Sequence, residues 1–128
     1  MRVIGIIQNQ NVFEHWENIR PNVILTDERI LHILEGHQAD YEQYGVYIAD
    51  VIAAPDVILE DCKHADTAMF IRHIAETNVN VIVKIAYANC NSDLESSVIT
   101  MYRLNEKKKE KMIRRMLSFT NAKHNAIM

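Results

Sequence analysis

What this 128-residue chain has little of narrows the reading first. Cysteine is limited to Cys62 and Cys90. That excludes the disulfide framework of small secreted domains and leaves buried free thiols as the ordinary role for the pair. Three glycines and two prolines leave no material for flexible linkers or low-complexity tracts, and no internal repeat is present. No apolar run approaches the roughly 18 residues of a membrane span. The longest candidate, Val79 to Ala88, already contains Asn80 and Lys84. The N-terminal stretch Met1 to Gln8 is too short for a signal-peptide core and turns polar at once. These absences predict one domain over residues 1–128, cytoplasmic, with no membrane partner.

What is present is a globular composition, 48% apolar and 24% charged, sufficient for one modest core. The net charge of −3 conceals an asymmetry. Residues 1–102 carry 6 Lys/Arg against 15 Asp/Glu, whereas residues 103–128 carry 8 against 2. A polyanion is repelled by most of the chain and drawn to its C-terminal segment. The plainer meaning of that segment is a solvated, Lys-rich helix face.

Apolar periodicity predicts an α+β fold: N-terminal helices, an antiparallel sheet of about four strands, and a basic C-terminal helix. Arg2 to Gln8 reads as a short strand. Asn11 to Ile19 reads as a helix capped by Asn11, with Val12, Trp16 and Ile19 on one face, broken by Arg20-Pro21-Asn22. A second helix starts at Thr26 or Asp27 and carries Ile30, Ile33 and Leu34 as its stripe; Gly36 either ends it or weakens it. Tyr47 to Ala53 reads as a short amphipathic helix stopped by Ala54-Pro55-Asp56. Then come four strands, Val57–Asp61, Met69–Ala75, Val79–Tyr87 and Ser97–Leu104. Short connections such as Glu76-Thr77-Asn78 favour hairpins. The last helix runs from a cap near Asn105 to about Phe119, docking through Met112, Ile113, Met116 and Leu117.

Among the six histidines, His15, His64, His73 and His124 are isolated. No Cys/His cluster has zinc spacing, so neither a metal nor a cofactor is expected. Asp61-Cys62-Lys63-His64-Ala65-Asp66 reads as a loop. His32 and His37 are five positions apart, roughly 140° on a regular helix, and cannot share a face there. His37 continues the Ile30, Ile33, Leu34 series and points at whatever that stripe packs on. An imidazole there is commonly a packed core residue, but it can also move protons near neutrality. Lys84 interrupts an apolar strand on the face opposite Val81, Val83 and Ile85, where an ammonium needs solvent or an anion. On the last strand Thr100 and Tyr102 share a face, with Ile99, Met101 and Arg103 on the other.

Several of these stretches form a set. Leu25-Thr26-Asp27 is followed by His32-Ile33 and Gly36-His37, and Ile52-Ala53-Ala54-Pro55-Asp56-Val57-Ile58 joins a helix to a strand. Val81-Ile82-Val83-Lys84-Ile85 and Val98-Ile99-Thr100-Met101-Tyr102 follow in order. From Val3-Ile4-Gly5 to the final strand this order resembles the phage-associated barnase–EndoU–colicin–RelE-like nuclease domains. Gly36 stands where a basic residue often precedes the second histidine of that pattern.

The resemblance implies a metal-independent endoribonuclease, a phage or prophage toxin or effector, that cleaves RNA by transesterification to a 2′,3′-cyclic phosphate. It implies His37 as the principal acid or base, with His32 as its support or as the second proton carrier. Lys84 would stabilise the pentavalent dianion, and Thr100 and Tyr102 would hydrogen-bond a phosphate oxygen. Lys107, Lys108, Lys109 and Lys111 would form a phosphate-binding rail. RNA, and an immunity or antitoxin protein, are the partners implied. The alternative is a catalytically degenerate module of the same fold that binds nucleic acid or protein, or a phage accessory protein.

Overall fold

Alternating valines at 79, 81 and 83 set the centre of the fold: all three are fully buried and define one face of a central strand. The computed structural model describes residues 2–10, 12–61, 63–88 and 94–120. Asn11, Cys62, Cys90 and His124 lie outside the described residues.

The elements in order are β1 (Arg2–Ile6), a 3-10 turn at Glu14–Trp16, β2 (Asn22–Leu25), α1 (Asp27–Tyr44), a second 3-10 turn at Gly45–Tyr47, and α2 (Ile48–Ala53). They continue through β3 (Val57–Glu60), β4 (Thr67–Ile74), β5 (Thr77–Lys84), β6 (Ser96–Leu104), α3 (Glu106–Arg115) and β7 (Leu117–Thr120). The strands form one seven-stranded sheet in the order β1-β2-β6-β5-β4-β3-β7. All neighbours are antiparallel except β2 and β6, which are parallel. The α+β class agrees with the sequence, but the sheet is larger than four strands and not wholly antiparallel.

Each face of the sheet has its own cover. On one, Val79, Val81, Val83, Phe70, Ile58, Val98 and Met101 pack against Ile33 of α1 and Ile48, Val51 and Ile52 around α2. On the other, Val57, Leu59, Met69, Ile71 and Leu104 pack with Met112, Ile113 and Met116 of the α3 segment. Layering helices on both faces lets a twisted sheet bury both sides.

Two expected elements at the N-terminus change character. The predicted helix over Asn11–Ile19 is a single 3-10 turn. Trp16, fully buried, packs edge-on to Phe13 at 5.0 Å and stacks on Phe70 at 6.2 Å. Its indole N–H donates to Glu60 Oε2 at 3.2 Å, an oxygen that also pairs with His15 Nε2. Beyond it the chain must extend to exchange backbone bonds with the segment after β5: Arg20 N–H to the Ala86 carbonyl and Ala88 N–H to the Asn18 carbonyl, both 2.7 Å. The Pro21 break is followed by β2, whose Val23, Ile24 and Leu25 are buried. Its apolar run is long enough only for a strand, and the helical signals that follow it obscured it.

The C-terminal helix is also shorter than expected. Met116 leaves helical geometry (φ −119, ψ 156), and Leu117–Thr120 pairs antiparallel with β3. Leu117 therefore belongs to a strand, not to the helix's docking face. The start of α3 is fixed firmly. Asn105 caps it by accepting from Lys108 N–H at 2.8 Å. Asn78, buried on β5, donates to the Leu104 carbonyl and to Glu106 Oε2, both at 3.1 Å. Lys109 Nζ lies 3.2 Å from the other Glu106 oxygen. Donation from Asn78, then the Lys109 charge, holds the Glu106 carboxyl below its ordinary range against the opposing effect of burial. No helix among the described residues is long and apolar enough to cross a membrane.

Two outcomes are expected. A lowered folded-state pKa stabilises above the unfolded value and loses that contribution as pH falls through the folded one. Glu106→Gln should therefore cost roughly 0.5–1 kcal/mol at neutral pH, the scale of a well-placed but solvent-screened pair. The difference from wild type should vanish in acid denaturation series run below the carboxylate range. Ala75, at the β4–β5 turn, has φ 48, the left-handed region where a Cβ is unfavourable. Ala75→Gly should raise stability in urea titration by about 0.5–1 kcal/mol, relief of that strain exceeding the added chain entropy.

Candidate active site

The site is assembled where β6 runs out of strand neighbours. Among the described residues, β2 pairs with β6 only through Ser96 and Ser97, so the edge of β6 beyond them has no described strand beside it. α1 takes that place. Asp40 accepts from Arg103 N–H at 3.1 Å and from Arg103 Nε at 2.6 Å, satisfying an edge amide that would otherwise be orphaned. Arg103 also lies over the Tyr44 ring at 5.9 Å. The Asp40 carboxylate raises the guanidinium's pKa further above its ordinary value.

α1 is not regular above this clamp. His37 has non-helical backbone angles (φ −140, ψ 44) that kink the helix. Gly36 immediately precedes it, with open space where a Cβ would stand. Glycine is the weakest helix former after proline and a common position for a kink. The kink turns the half-buried His37 ring onto Tyr102, with ring centroids 5.1 Å apart and planes tilted by 31°. His32 is not brought into this group. Its ring is exposed, 3.9 Å from both Glu28 and Glu35 on its own helix.

Tyr102 pairs in register with Asn80 of β5 and faces the α3 side of the sheet. There it lines a cleft of ≈ 470 Å³ together with Asp61, Lys63, Leu104, Lys108, Lys111, Met112, Arg115 and Met116. Thr100 and Lys84 emerge farther along the same face, opposite Ile82 and Thr67 respectively. A bulge in β6 between Val98 and Thr100 precedes the Tyr102 position, a device that re-aims side chains near sites. Lys84 is exposed, and its Nζ donates to the Ala65 carbonyl at 2.9 Å, in the loop that begins at Asp61. Neither Thr100 nor Lys84 lines the cleft itself.

The basic helix divides its lysines. Lys108 and Lys111 line the cleft, Lys107 is exposed outside it, and Lys109 is drawn to Glu106 and, at 3.4 Å, to Asn78 Oδ1. The sequence reading missed Arg115, although positions 108, 111 and 115 follow the spacing of one helix face. It also passed over Asp61 and Lys63 as loop residues and Asn80 as a strand residue. Their placement beside Tyr102 is tertiary and has no local signature.

The electrostatics favour an anion. Burial raises the Tyr102 phenol above its ordinary value; the Asp61 charge adds to this and the nearby Asn80 amide opposes it. Tyr102 is a hydrogen-bond donor at neutral pH. Burial also pushes Asp61 up, but the Lys63 N–H at 2.8 Å and the His64 Nδ1 contact at 2.9 Å outweigh it and keep the carboxylate ionised. One carboxylate thus faces four cationic side chains around an apolar floor. Among the described residues, no group of three or more His, Cys, Asp or Glu side chains is placed to hold a metal ion.

The combination is an imidazole on a phenol, at the side of a cationic cleft between a sheet and a basic helix. A family model described as phage-Barnase-EndoU-ColicinE5/D-RelE like nuclease3 matches residues 3–111. Comparison with curated proteins and with solved structures gave no match. The matched stretch includes His37, Tyr102 and the cleft wall as far as Lys111, and the chain belongs to this family of phage-associated nucleases, whose substrates are nucleic acids.

Proposed function

We propose that the protein is a metal-independent endoribonuclease that cleaves RNA by intramolecular transesterification. The observation that carries this reading is the His37–Tyr102 pair beside the cationic cleft. His37 takes the proton from a ribose 2′-hydroxyl. The 2′-oxygen attacks the adjacent phosphorus, the bond to the 5′-oxygen breaks, and that oxygen takes a proton from solvent water. The products are a 2′,3′-cyclic phosphate and a 5′-hydroxyl. Tyr102, held protonated by burial, donates to a non-bridging phosphate oxygen. Lys108 and Lys111 offset the charge that builds on the phosphate. Lys84 and Thr100 lie farther along the face, outside the residues that line the cleft.

A divalent-metal mechanism requires several oxygen ligands gathered round the scissile phosphate. Among the described residues, Asp61 is the one carboxylate lining this cleft, and its ionised form is already engaged by Lys63 N–H and His64. The charge distribution supports direct cationic stabilisation instead. Family membership supports a toxin or effector role, and an immunity-type protein that blocked this cleft would need an acidic surface.

Labelled RNA incubated with the full chain in EDTA should be cut to cyclic-phosphate ends, and DNA, which lacks the attacking hydroxyl, should remain whole. His37→Ala should reduce the rate by roughly 10²–10⁴, the scale of positioned proton transfer. Cleavage that needs added metal, persists in His37→Ala, or acts equally on DNA would sink the proposal. Binding without cutting would point to a degenerate module. Separately, Lys108→Ala and Lys111→Ala should each flatten the dependence of log affinity for single-stranded RNA on log salt by about 0.7. Lys109→Ala, whose ammonium is engaged with Glu106, should leave the slope unchanged.

A further inference from the structure

α1 carries a second seam, one position removed from the seam that holds it to the sheet. Ile30, Ile33, His37, Asp40 and Tyr44, spaced by three and four residues, face inward. Ile33 and Tyr44 are buried, His37 meets Tyr102, and Asp40 binds Arg103. The same spacing shifted by one gives Leu31, Leu34, Gln38, Tyr41 and Gly45. The solvent side of a surface helix is ordinarily polar. Here Leu31 is 62% exposed. Leu34 and Tyr41 border a hollow of ≈ 390 Å³ with Glu42, Gly45 and Val46, and Val46 is 80% exposed. The Tyr41 ring lies directly over Gly45, where a Cβ would stand 3.1 Å from two ring carbons.

The charge beside this seam has one sign. Glu28, Glu35 and Glu42 recur every seventh residue along it, and all three are exposed. His32 lies 3.9 Å from both Glu28 and Glu35 and offsets them only when protonated. No lysine or arginine occurs between Glu35 and Asp50. The last turn of α1 holds Glu42 and no basic residue, against the preference of a helix C-terminus for cations. A cation brought by a partner would relieve that conflict. Apolar residues at alternating spacings of three and four, flanked by like charge at every seventh position, form the face by which one helix pairs with another of opposite charge.

We propose that this face of α1 docks an amphipathic helix of a partner protein that carries lysine or arginine beside its own apolar seam. Leu31 and Leu34 receive its apolar side chains at one end, and the hollow beside Tyr41 receives another. Glu35 and Glu42 pair with cations two turns apart. A second copy of this chain does not fit the face. α1 against α1 sets glutamate against glutamate, and α3, the chain's own basic helix, has Met112 and Ile113 packed on the sheet. The hollow shares no residue with the cationic cleft, and α1 and α3 cover opposite faces of the sheet. The docked helix therefore leaves the cleft open and seats on both sides of the His37 kink.

The experiment is fluorescence anisotropy of labelled synthetic peptides titrated with the full chain at physiological salt. One peptide of about five helical turns has leucine at spacings of three and four, lysine on both flanks and alanine elsewhere. A second has glutamate in place of lysine, and a third has the first one's composition in scrambled order. The lysine helix should bind about tenfold or more tighter than either control, the scale of burying one leucine. Leu31→Asp, at an exposed position, should weaken it about tenfold. Glu35→Lys combined with Glu42→Lys, also exposed, should reverse the preference and favour the glutamate helix. Absence of binding, equal binding of ordered and scrambled peptides, or a preference unchanged by the double charge reversal overturns the docking face. A dimer of the chain in sedimentation that Leu31→Asp abolishes assigns the face to a second copy and overturns the partner helix. The result is independent of RNA cleavage, because seam and cleft are separate surfaces.

Discussion

The Asp40 carboxylate holds the site together, because it binds Arg103 through both backbone and side chain. A sheet that is parallel at one junction and antiparallel elsewhere leaves strands of unequal cover, and β6 outruns β2 by most of its length. The uncovered amide at Arg103 needs a partner, and a helix carboxylate supplies it. That contact fixes α1 along the strand edge, so the residues just before Asp40 lie against the end of β6. His37 meets Tyr102 for this reason. Were Asp40 absent, the Arg103 amide would lose its carboxylate acceptor and the guanidinium would keep only its place beside the Tyr44 ring.

The second wall is fixed by a different device. Asn78 binds both the last carbonyl of β6 and the first side chain of α3, so the helix starts at a set point and rotation. From that start the helical repeat carries Lys108, Lys111 and Arg115 to the cleft and turns Lys109 inward to Glu106. The strand after α3 crosses to the far edge beside β3 and anchors the other end of the helix. The cleft is thus bounded by one element clamped at a strand edge and another clamped at both ends. Its shape follows from backbone pairing more than from contacts within the cleft.

This explains which features could be read in the sequence. The β5 alternation and the opposed Lys84 survived into the structure because period 2 depends only on local geometry. The Thr100 and Tyr102 pairing of faces survived for the same reason, even with a bulge beside it. The Asn11–Ile19 helix did not, since Trp16 gains more by packing on Phe13 and Phe70 than a short helix gains from its own bonds. β2 and β7 were missed because a strand is stabilised by its neighbours, and here those neighbours are remote in the chain. His37 was placed on the correct element, but its direction came from a kink that a regular 100° repeat cannot express. His32 shows the converse: the helix is regular there, and the ring lies among Glu28 and Glu35 in solvent.

Charge placement adds a constraint on how a nucleic acid could approach. α1 carries five acidic residues, Asp27, Glu28, Glu35, Asp40 and Glu42, of which Asp40 is paired with Arg103, while Lys108, Lys111 and Arg115 line the cleft. A rigid duplex long enough to touch both would meet repulsion from one as it gained attraction from the other. A flexible single strand can follow the basic wall alone and present one phosphate to His37. Over distances beyond about 8–10 Å the two influences are screened equally by physiological salt, so the selection operates at contact range. There, on the proposed reading of the site, it would favour a substrate that bends over one that binds most charge.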